Sequence, residues 1–296
     1  MFRLDRLERF ALTKVFPLIP AQATSWLFGS RTDIDGRGGD IDILIKHDAS
    51  PQERFDLSHR LTVAFQEHCD EKIDFVVVQK SPSEPELEVF LRSIVKKIDL
   101  ATVVNTPLLD HVALLVHNLE ASRAASASLG FAVQEIQSFP ATIESYVGES
   151  GRSSRLLLMQ PSGPGSYQRA LKKRGPGVHH FGVVVPSMKT FPNQLIGTGW
   201  FIHPVSAFNL ETGGDVYLAR PGAPLLEVSE AKPSKPAVLA PVVERMRIRV
   251  NPDVAANLSC LGIPELTWTT SEESALQVGG KWHHVAEFVE PAQTPF

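Results

Sequence analysis

The stretch Asp110-His-Val-Ala-Leu-Leu-Val116 returns later in the chain as His179-His-Phe-Gly-Val-Val-Val185. Each stretch has a histidine at its second position, an apolar run typical of a buried strand, and a helical pattern after it. The first unit closes on Arg155-Leu-Leu-Leu-Met159 and the second on Pro224-Leu-Leu-Glu-Val228. The two histidines are 69 residues apart, and the closing strands keep a nearly equal offset of 70. The sequence therefore predicts two copies of a β-α-β-β-β module.

Alternation along the first strands places His111 and His180 on the face that two paired modules would share. Glu227 stands in the last strand of the second module. Two imidazoles and a carboxylate make a suitable site for a divalent metal, with open positions for a substrate. His179 is expected to face the other side of its strand, because neighbouring residues on a strand alternate.

Residues 107–232 resemble the vicinal oxygen chelate superfamily, which includes glyoxalase I, bleomycin-resistance proteins, extradiol dioxygenases and methylmalonyl-CoA epimerase. The resemblance is carried by Leu109-Asp-His-Val-Ala, Gly177-Val-His-His-Phe-Gly and Leu225-Leu-Glu-Val. It implies a cup that is built by the paired modules. It also implies a set of metal ligands, namely His111, His180 and Glu227.

One ligand of that superfamily is missing at the end of the first module. Its members usually carry Glu or Gln where this chain has Leu157, and an aliphatic side chain cannot bind a metal. Gln160 is out of phase with that position and is expected to face outward. Two interpretations stay open: a three-ligand metal site for an isomerase or lyase reaction, and a metal-free cup that binds a small molecule.

A second pattern lies near the N terminus, where Gly29-Ser30 is followed by Asp40-Ile-Asp42 and then by Lys72-Ile-Asp74. Asp40 and Asp42 are two apart on a predicted strand and point to the same side. Their carboxylates repel each other unless a cation lies between them, and Mg²⁺ prefers oxygen ligands. Gly29 lets the backbone approach a phosphate closely, and Ser30 can help to hold the anion. The pattern indicates a metal-phosphate site, which Asp74 joins if its strand is the neighbour.

Residues 1–103 resemble the minimal nucleotidyltransferases of the DNA polymerase beta superfamily. The match runs from a first helix through Trp26-Leu-Phe-Gly-Ser-Arg31 and Gly38-Gly-Asp-Ile-Asp42 to the Lys-Ile-Asp strand. It implies Mg²⁺-dependent transfer of a nucleoside monophosphate, by default AMP from ATP, to a hydroxyl of a small molecule, RNA or protein. The implied catalytic and metal-binding residues are Asp40, Asp42 and Asp74. The implied triphosphate-binding residues are Gly29, Ser30 and Arg31.

The predicted fold class is α+β multidomain, with a nucleotidyltransferase mixed sheet, a paired-module cup and an α+β segment at residues 241–296. A Pro-rich linker at residues 231–241 precedes that segment. The segment is either a third βαβββ module or an unrelated α+β cap. Its predicted elements are strands at 245–250, 266–270 and 283–289 and a helix at 253–261. A lone third module would leave half a cup open, which favours a homodimer.

The composition agrees with a globular, cytoplasmic enzyme. Apolar residues make up 43% and charged residues 21%, and the net charge of -4 provides no general field for nucleic acid. Cys69 and Cys260 fit neither a disulfide framework nor a zinc site, and the N terminus has no apolar signal segment. No run of residues approaches the length of a membrane span.

Three functions follow from these patterns. The first is an ATP-dependent nucleotidyltransferase whose second domain binds its acceptor or catalyses a reaction of its own. The second is a protein without turnover, with an antitoxin-like domain for a toxin-like partner and a ligand-sensing cup. The third is an epimerase-like enzyme in which the N-terminal domain is accessory.

Overall fold

The computed structural model describes residues 2–33, 36, 39–81, 85–149, 154–189, 191, 195–230, 242–252, 263 and 265–289. The chain forms two compact units, unit 1 and unit 2, and the division falls between Thr106 and Pro107. Their described parts contain three mixed sheets together with helices, which confirms the α+β class. Among these residues, no helix combines the length and the apolar character that a membrane crossing requires.

Unit 1 is a four-stranded sheet with helices. Its strands are β1 (Thr24–Phe28), β2 (Ile41–Lys46), β3 (Ile73–Val78) and β4 (Lys97–Asp99). Its helices are α1 (Arg6–Val15), α2 (Pro51–Gln66), α3 (Pro85–Ser93) and α4 (Leu100–Asn105). The strand order is β3-β2-β1-β4, and only β2 and β3 run parallel. Helices α1 and α2 each begin with a capping box, which satisfies exposed amides of the first turn.

The two faces of the unit 1 sheet have different roles. Ile41, Ile43 and Ile45 of β2 point into the main core, where α1, α2 and α4 cover the sheet. Residues Asp42 and Leu44 point to the other face, because side chains alternate along a strand. On that face, α3 packs against a smaller apolar cluster around Leu44. The acidic motif therefore lies on the less covered face of the sheet.

Unit 2 is built on an eight-stranded sheet. Its strands are β5 (Leu108–Leu115), β6 (Gln137–Ser138), β7 (Thr142–Val147), β8 (Arg155–Pro161), β9 (Gly177–Val185), β10 (Phe201–Ile202), β11 (Val216–Ala219) and β12 (Leu225–Glu230). Its helices in this part are α5 (Leu119–Ser128), α6 (Ser166–Arg174) and α7 (Asn209–Thr212). The strand order is β10-β11-β12-β9-β5-β8-β7-β6.

The predicted internal repeat agrees with this strand order. In each half, the strand that comes first in the chain lies beside the fourth strand and runs parallel to it. The third strand lies next to the fourth, and the second strand lies at the outer edge of the sheet. The first strands β5 and β9 pair antiparallel at the centre. Ala113 pairs with Leu157 in one half as Gly182 pairs with Glu227 in the other. The helix predicted after β9 lies partly outside the described residues.

The C-terminal part of unit 2 forms its own sheet, in the order β14-β13-β15-β16. Its elements are β13 (Arg245–Arg249), β14 (Leu266–Thr269), β15 (Ala275–Val278), β16 (Lys281–His284) and α8 (Ala286–Val289). In this sheet the first strand, β13, lies between the second strand, β14, and the third strand, β15. In each of the two modules, the first strand instead lies between the fourth strand of its own module and the first strand of the other module. The strand order of this segment therefore differs from that of the two modules, and the third-module interpretation stays a prediction beside the unrelated α+β cap. The predicted helix at 253–261 lies outside the described residues, and the strand predicted at 283–289 is wrong beyond His284.

This C-terminal segment covers the face of the eight-stranded sheet that points away from the two histidines. The ring of Trp268 lies 6.2 Å from that of Phe181 on β9, and the ring of Phe288 lies 5.9 Å from that of Phe131. Both contacts belong to one large apolar core. Because one face is sealed in this way, the polar groups of β5 and β9 are left on the other face.

Candidate functional site

Three ligand-type side chains converge at the centre of the eight-stranded sheet. The Nε2 atoms of His111 and His180 are 3.1 Å apart, and Nε2 of His180 lies 3.4 Å from Oε2 of Glu227. Among the described residues, these are the one set of three ligand-type side chains whose donor atoms all lie within 4.8 Å of one another. Both histidines are buried and the carboxylate is half-buried.

The spacing of these atoms fits one divalent cation. Bonds from a metal to imidazole nitrogen or carboxylate oxygen are about 2.0–2.2 Å, so two ligands at roughly 90–110° lie about 3.0–3.5 Å apart. The two measured separations of 3.1 and 3.4 Å fall in that range. Nitrogen and oxygen donors in this combination suit zinc and non-haem iron. The residues present therefore fit a resident metal.

Sheet register explains why these side chains meet. His111 pairs with Gly182, which in turn pairs with Glu227, so the two ligands flank a glycine in one row. A Cβ atom at Gly182 would lie 2.1 Å from Cε1 of His111. The imidazole thus occupies the space that the glycine leaves empty. His180 enters from the neighbouring row, opposite Ala113.

His179 does not face away from the site as expected. Its Nδ1 lies 2.9 Å from Nδ1 of His180, and its ring centroid lies 5.1 Å from that of Tyr167 on α6, with the two rings tilted at 47°. The β5–β9 register slips by one residue at His179, which is left as an extra residue without an opposite partner. Such a bulge interrupts the alternation of side chains. Burial, assisted by the charge of Arg174, lowers the pKa of His179 to about 4.

Three tyrosines and an arginine surround the cluster, and sequence reasoning missed all four. Tyr217 pairs with Glu227 across the strands and donates its hydroxyl to Oε2 at 2.6 Å. Tyr146 holds the equivalent place in the first module, opposite Leu157, and Arg155 lies 3.7 Å above its ring centroid. The 71-residue spacing of Tyr146 and Tyr217 was the available signal, since it follows the repeat.

Burial favours the neutral form of the His180 imidazole in this cluster. Burial, with the neighbouring rings of His111 and His179, lowers the pKa of His180 well below its ordinary value. Burial raises the pKa of Glu227, while the hydrogen bond from Tyr217 works in the opposite direction. A neutral imidazole has a free lone pair for a cation, so burial prepares His180 as a ligand.

Leu157 serves packing instead of metal binding. It is 4% exposed and lies in an apolar cluster with Ala113 and with Leu171 of α6. At the position where a fourth ligand was expected, the Leu157 side chain therefore packs against helix α6. Gln160 faces the other side, as expected, and its Oε1 accepts a hydrogen bond from the amide of Leu119 at 2.7 Å.

The acidic motif of unit 1 is assembled on the open face of its sheet. Asp42 pairs in register with Asp74 on the parallel neighbour β3, so the two side chains share a face. Burial raises the pKa of Asp42, and the carboxylates of Asp74 and Asp40 raise it further. Gly29 has a φ of +72°, and a Cβ there would lie 2.2 Å from Oδ2 of Asp42. The Gly-Ser turn therefore packs directly on the acidic strand.

Two other residues of this motif have structural partners. Asp40 forms an ion pair with Lys72. Arg31 pairs with Glu8 of α1 at 2.9 Å and donates to the carbonyl of Gly39 at 3.0 Å. Its guanidinium thus fastens the loop before β2 to α1, and it is not directed at the carboxylates.

No protein-family model and no curated protein matches this chain. Methylmalonyl-CoA epimerase from Mycobacterium tuberculosis is 21% identical over 42% of this chain and 88% of its own, with a TM-score of 0.34. A triple mutant of 4-hydroxymandelate synthase from Streptomyces coelicolor is 12% identical over 60% and 62%, with a TM-score of 0.40. A catechol 2,3-dioxygenase is 16% identical over 61% and 65%, with a TM-score of 0.36.

Proposed function

We propose that unit 2 is a metal-dependent enzyme that acts on a small oxygen-bearing molecule, as an isomerase or lyase. The observation that carries this proposal is the convergence of His111 Nε2, His180 Nε2 and Glu227 Oε2 at ligand spacing. The vicinal oxygen chelate resemblance of residues 107–232 points to the same class of chemistry.

Each residue of the cluster has a distinct task in this proposal. His111, His180 and Glu227 hold a divalent ion, which when bound polarises a substrate oxygen as a Lewis acid. Tyr217 fixes the orientation of Glu227 through its 2.6 Å hydrogen bond. Three protein ligands leave coordination positions free, so a substrate can reach the centre from the side of the half-buried Glu227.

Metal analysis tests this proposal directly. We expect purified protein, or apoprotein reloaded with Zn²⁺, Mn²⁺ or Fe²⁺, to hold one divalent ion, and we expect His111→Ala and His180→Ala to lose it. His117→Ala is the matched control, because His117 is exposed just beyond β5. Binding of all four proteins to the same extent, or no binding by the wild type, contradicts the metal site and favours the metal-free cup.

We propose for unit 1 a second function, Mg²⁺-dependent nucleotidyl transfer from a nucleoside triphosphate to a hydroxyl. This proposal is supported by Asp42 and Asp74 side by side, with the Gly29 backbone against Asp42. The mutual repulsion that raises the pKa of Asp42 is relieved when a cation binds. Asp40 would be the third ligand after exchanging Lys72 for the metal, and Ser30, next to Gly29 in the same turn, would help to hold the phosphates.

Labelled ATP tests the second function. With Mg²⁺ and a cell-extract acceptor, we expect label transfer by the wild type and a loss of at least 100-fold in Asp42→Asn and Asp74→Asn, as for other lost electrostatic stabilisation. Asp56→Asn on the exposed side of α2 is the control. If wild type and variants give the same background, unit 1 is not a transferase. Co-purification of a small toxin-like protein would then support the antitoxin-like alternative.

A further inference from the structure

Each of the two proposed histidine ligands follows an extra residue in its strand. The register of β5 with β9 slips at Asp110, just before His111, and again at His179, just before His180. Leu109 and Val112 both pack in the large core on the far side of the sheet, and so do Val178 and Phe181. The pair of residues between them therefore turns to the metal side in both strands, which a regular strand does not permit.

The two extra residues touch the same atom of their neighbouring rings. Oδ2 of Asp110 lies 3.1 Å from Nδ1 of His111, and Nδ1 of His179 lies 2.9 Å from Nδ1 of His180. The Nε2 atoms of both rings are the ones that converge with Glu227. The internal repeat has thus placed one polar partner behind each ligand, a carboxylate in the first module and an imidazole in the second.

We propose that Asp110 and His179 are positioning residues that set the tautomer and the ring orientation of the two metal ligands. This inference rests on the proposed metal site of unit 2. In each case Nδ1–H of the ligand donates to the residue behind it, so the lone pair of Nε2 is directed at the metal. His179 accepts this hydrogen bond through an unprotonated Nδ1, and its buried ring is held beside that of Tyr167.

The two partners differ in charge, and the difference predicts unequal effects. The Asp110 carboxylate accepts a charge-assisted hydrogen bond from Nδ1–H of His111, which is stronger than a hydrogen bond between neutral groups. The His179 imidazole orients His180 without adding charge. Loss of Asp110 should therefore weaken metal binding more than loss of His179 does.

Competition of the protein with a chelator for Zn²⁺ or Co²⁺ measures this effect. We expect Asp110→Ala to bind the metal about 10- to 100-fold more weakly and His179→Phe about 10-fold more weakly. Asp110→Asn keeps a hydrogen-bond acceptor but loses the charge, so its metal affinity should lie between those of Asp110→Ala and the wild type. Glu211→Gln and His117→Ala, both exposed, serve as matched controls and should bind like the wild type.

A second readout separates positioning from mere packing. Nitrogen-15 shifts of the histidine side chains should report Nδ1–H and bare Nε2 for His111 in the metal-free wild type, and a mixture of tautomers in Asp110→Ala. If the wild type binds metal but all three variants bind it equally well, the inference is wrong and the metal site stands. If the wild type binds no metal, the proposed function fails and this inference fails with it. If Asp110→Ala or His179→Phe does not fold, the metal affinity of the near-isosteric Asp110→Asn tests the inference.

Discussion

At the scale of single residues, two glycines allow the candidate sites to form. The His111 ring fills the space beside Gly182, and Asp42 lies against the backbone of Gly29. Neither approach tolerates a β-carbon, because its distance to the partner would be near 2 Å. The absence of a side chain is therefore as much a part of each site as the ligands themselves.

Gly182→Ala should damage the proposed metal site of unit 2. The added methyl group must displace the imidazole of His111, and overpacking of this kind costs about 1–3 kcal/mol. We expect at least a 10-fold loss of metal affinity, measured by chelator competition, with a lower unfolding free energy. Gly163→Ala is the control, since a Cβ there meets nothing within 4 Å. Unchanged affinity in Gly182→Ala would show that the His111 ring does not occupy the space beside Gly182.

Glu8 should make the stability of unit 1 depend on pH. Burial and the nearby Asp5 raise its pKa from 4.5 to about 7, although Arg31 pairs with it. The folded state then binds more protons at Glu8 than the unfolded state between these values, so the stability that Glu8 contributes is fully present below about pH 4.5 and is lost as pH rises through 7. The total effect is about 3 kcal/mol.

Denaturant unfolding of unit 1 between pH 4.5 and 8 measures this contribution. Glu8→Gln should flatten the profile in that window, because the glutamine does not titrate. Glu67→Gln, exposed at the end of α2, should leave it as in the wild type. Parallel profiles for wild type and Glu8→Gln would show that the pKa of Glu8 is not raised.

At the scale of elements, α6 explains the incomplete ligand set. Gly-Pro-Gly stands on both sides of this helix, at 163–165 and 175–177, which limits it to nine residues. Its apolar side carries Tyr167, Ala170 and Leu171 at helical spacing, and these pack on the cluster around Leu157. A carboxylate at Leu157 would be buried without a partner under this helix unless a metal were bound.

Leu171→Ala should release α6 from the sheet. The side chain is nearly buried in the apolar cluster, so its loss should cost about 2–3 kcal/mol. Hydrogen exchange should become faster in α6 while the amides of β5 and β9 stay protected. Arg169→Ala, on the exposed side of the same helix, should exchange as the wild type does. Equal protection of α6 in both variants would contradict its anchoring by Leu171.

At the scale of the whole molecule, the described residues form separate apolar cores for unit 1 and unit 2. The aspartate motif belongs to the first unit and the histidine cluster to the second. Each proposed function therefore has its own scaffold and can be tested without the other.

We expect two unfolding transitions in denaturant. With saturating Mg²⁺ present throughout, Zn²⁺ at 100 times its dissociation constant for the proposed histidine site should stabilise the transition of unit 2 by about 2.7 kcal/mol, because it binds only the folded site. His180→Ala should abolish that shift, whereas Glu8→Gln should alter only the pH dependence of the other transition. A single transition that Zn²⁺ shifts as a whole would show that the two units unfold together.

Local patterns in the sequence were sufficient to predict most elements and to select the aspartates and histidines that the two sheets bring together. The Gly29-Ser30 and Asp-x-Asp signals, and the 69-residue repeat of His111 and His180, depend only on spacing and on alternation along strands. These properties are short-range, and the sheets place Asp42 beside Asp74 and His111 beside His180 as they require. The nucleotidyltransferase and metal-enzyme activities themselves stay predictions.

Only the tertiary structure decided where the alternation fails and what covers each face. The strand β4 has only three residues, which is too short to show the alternation of apolar and polar side chains that marks a strand. The order of β13 to β16 depends on which segments pair, and a single segment does not determine it. The bulges at Asp110 and His179 arise between two strands, so neither strand encodes them alone. Leu157 became a docking position for α6 by the same long-range packing, which leaves a cluster of three ligands with a polar partner behind each histidine.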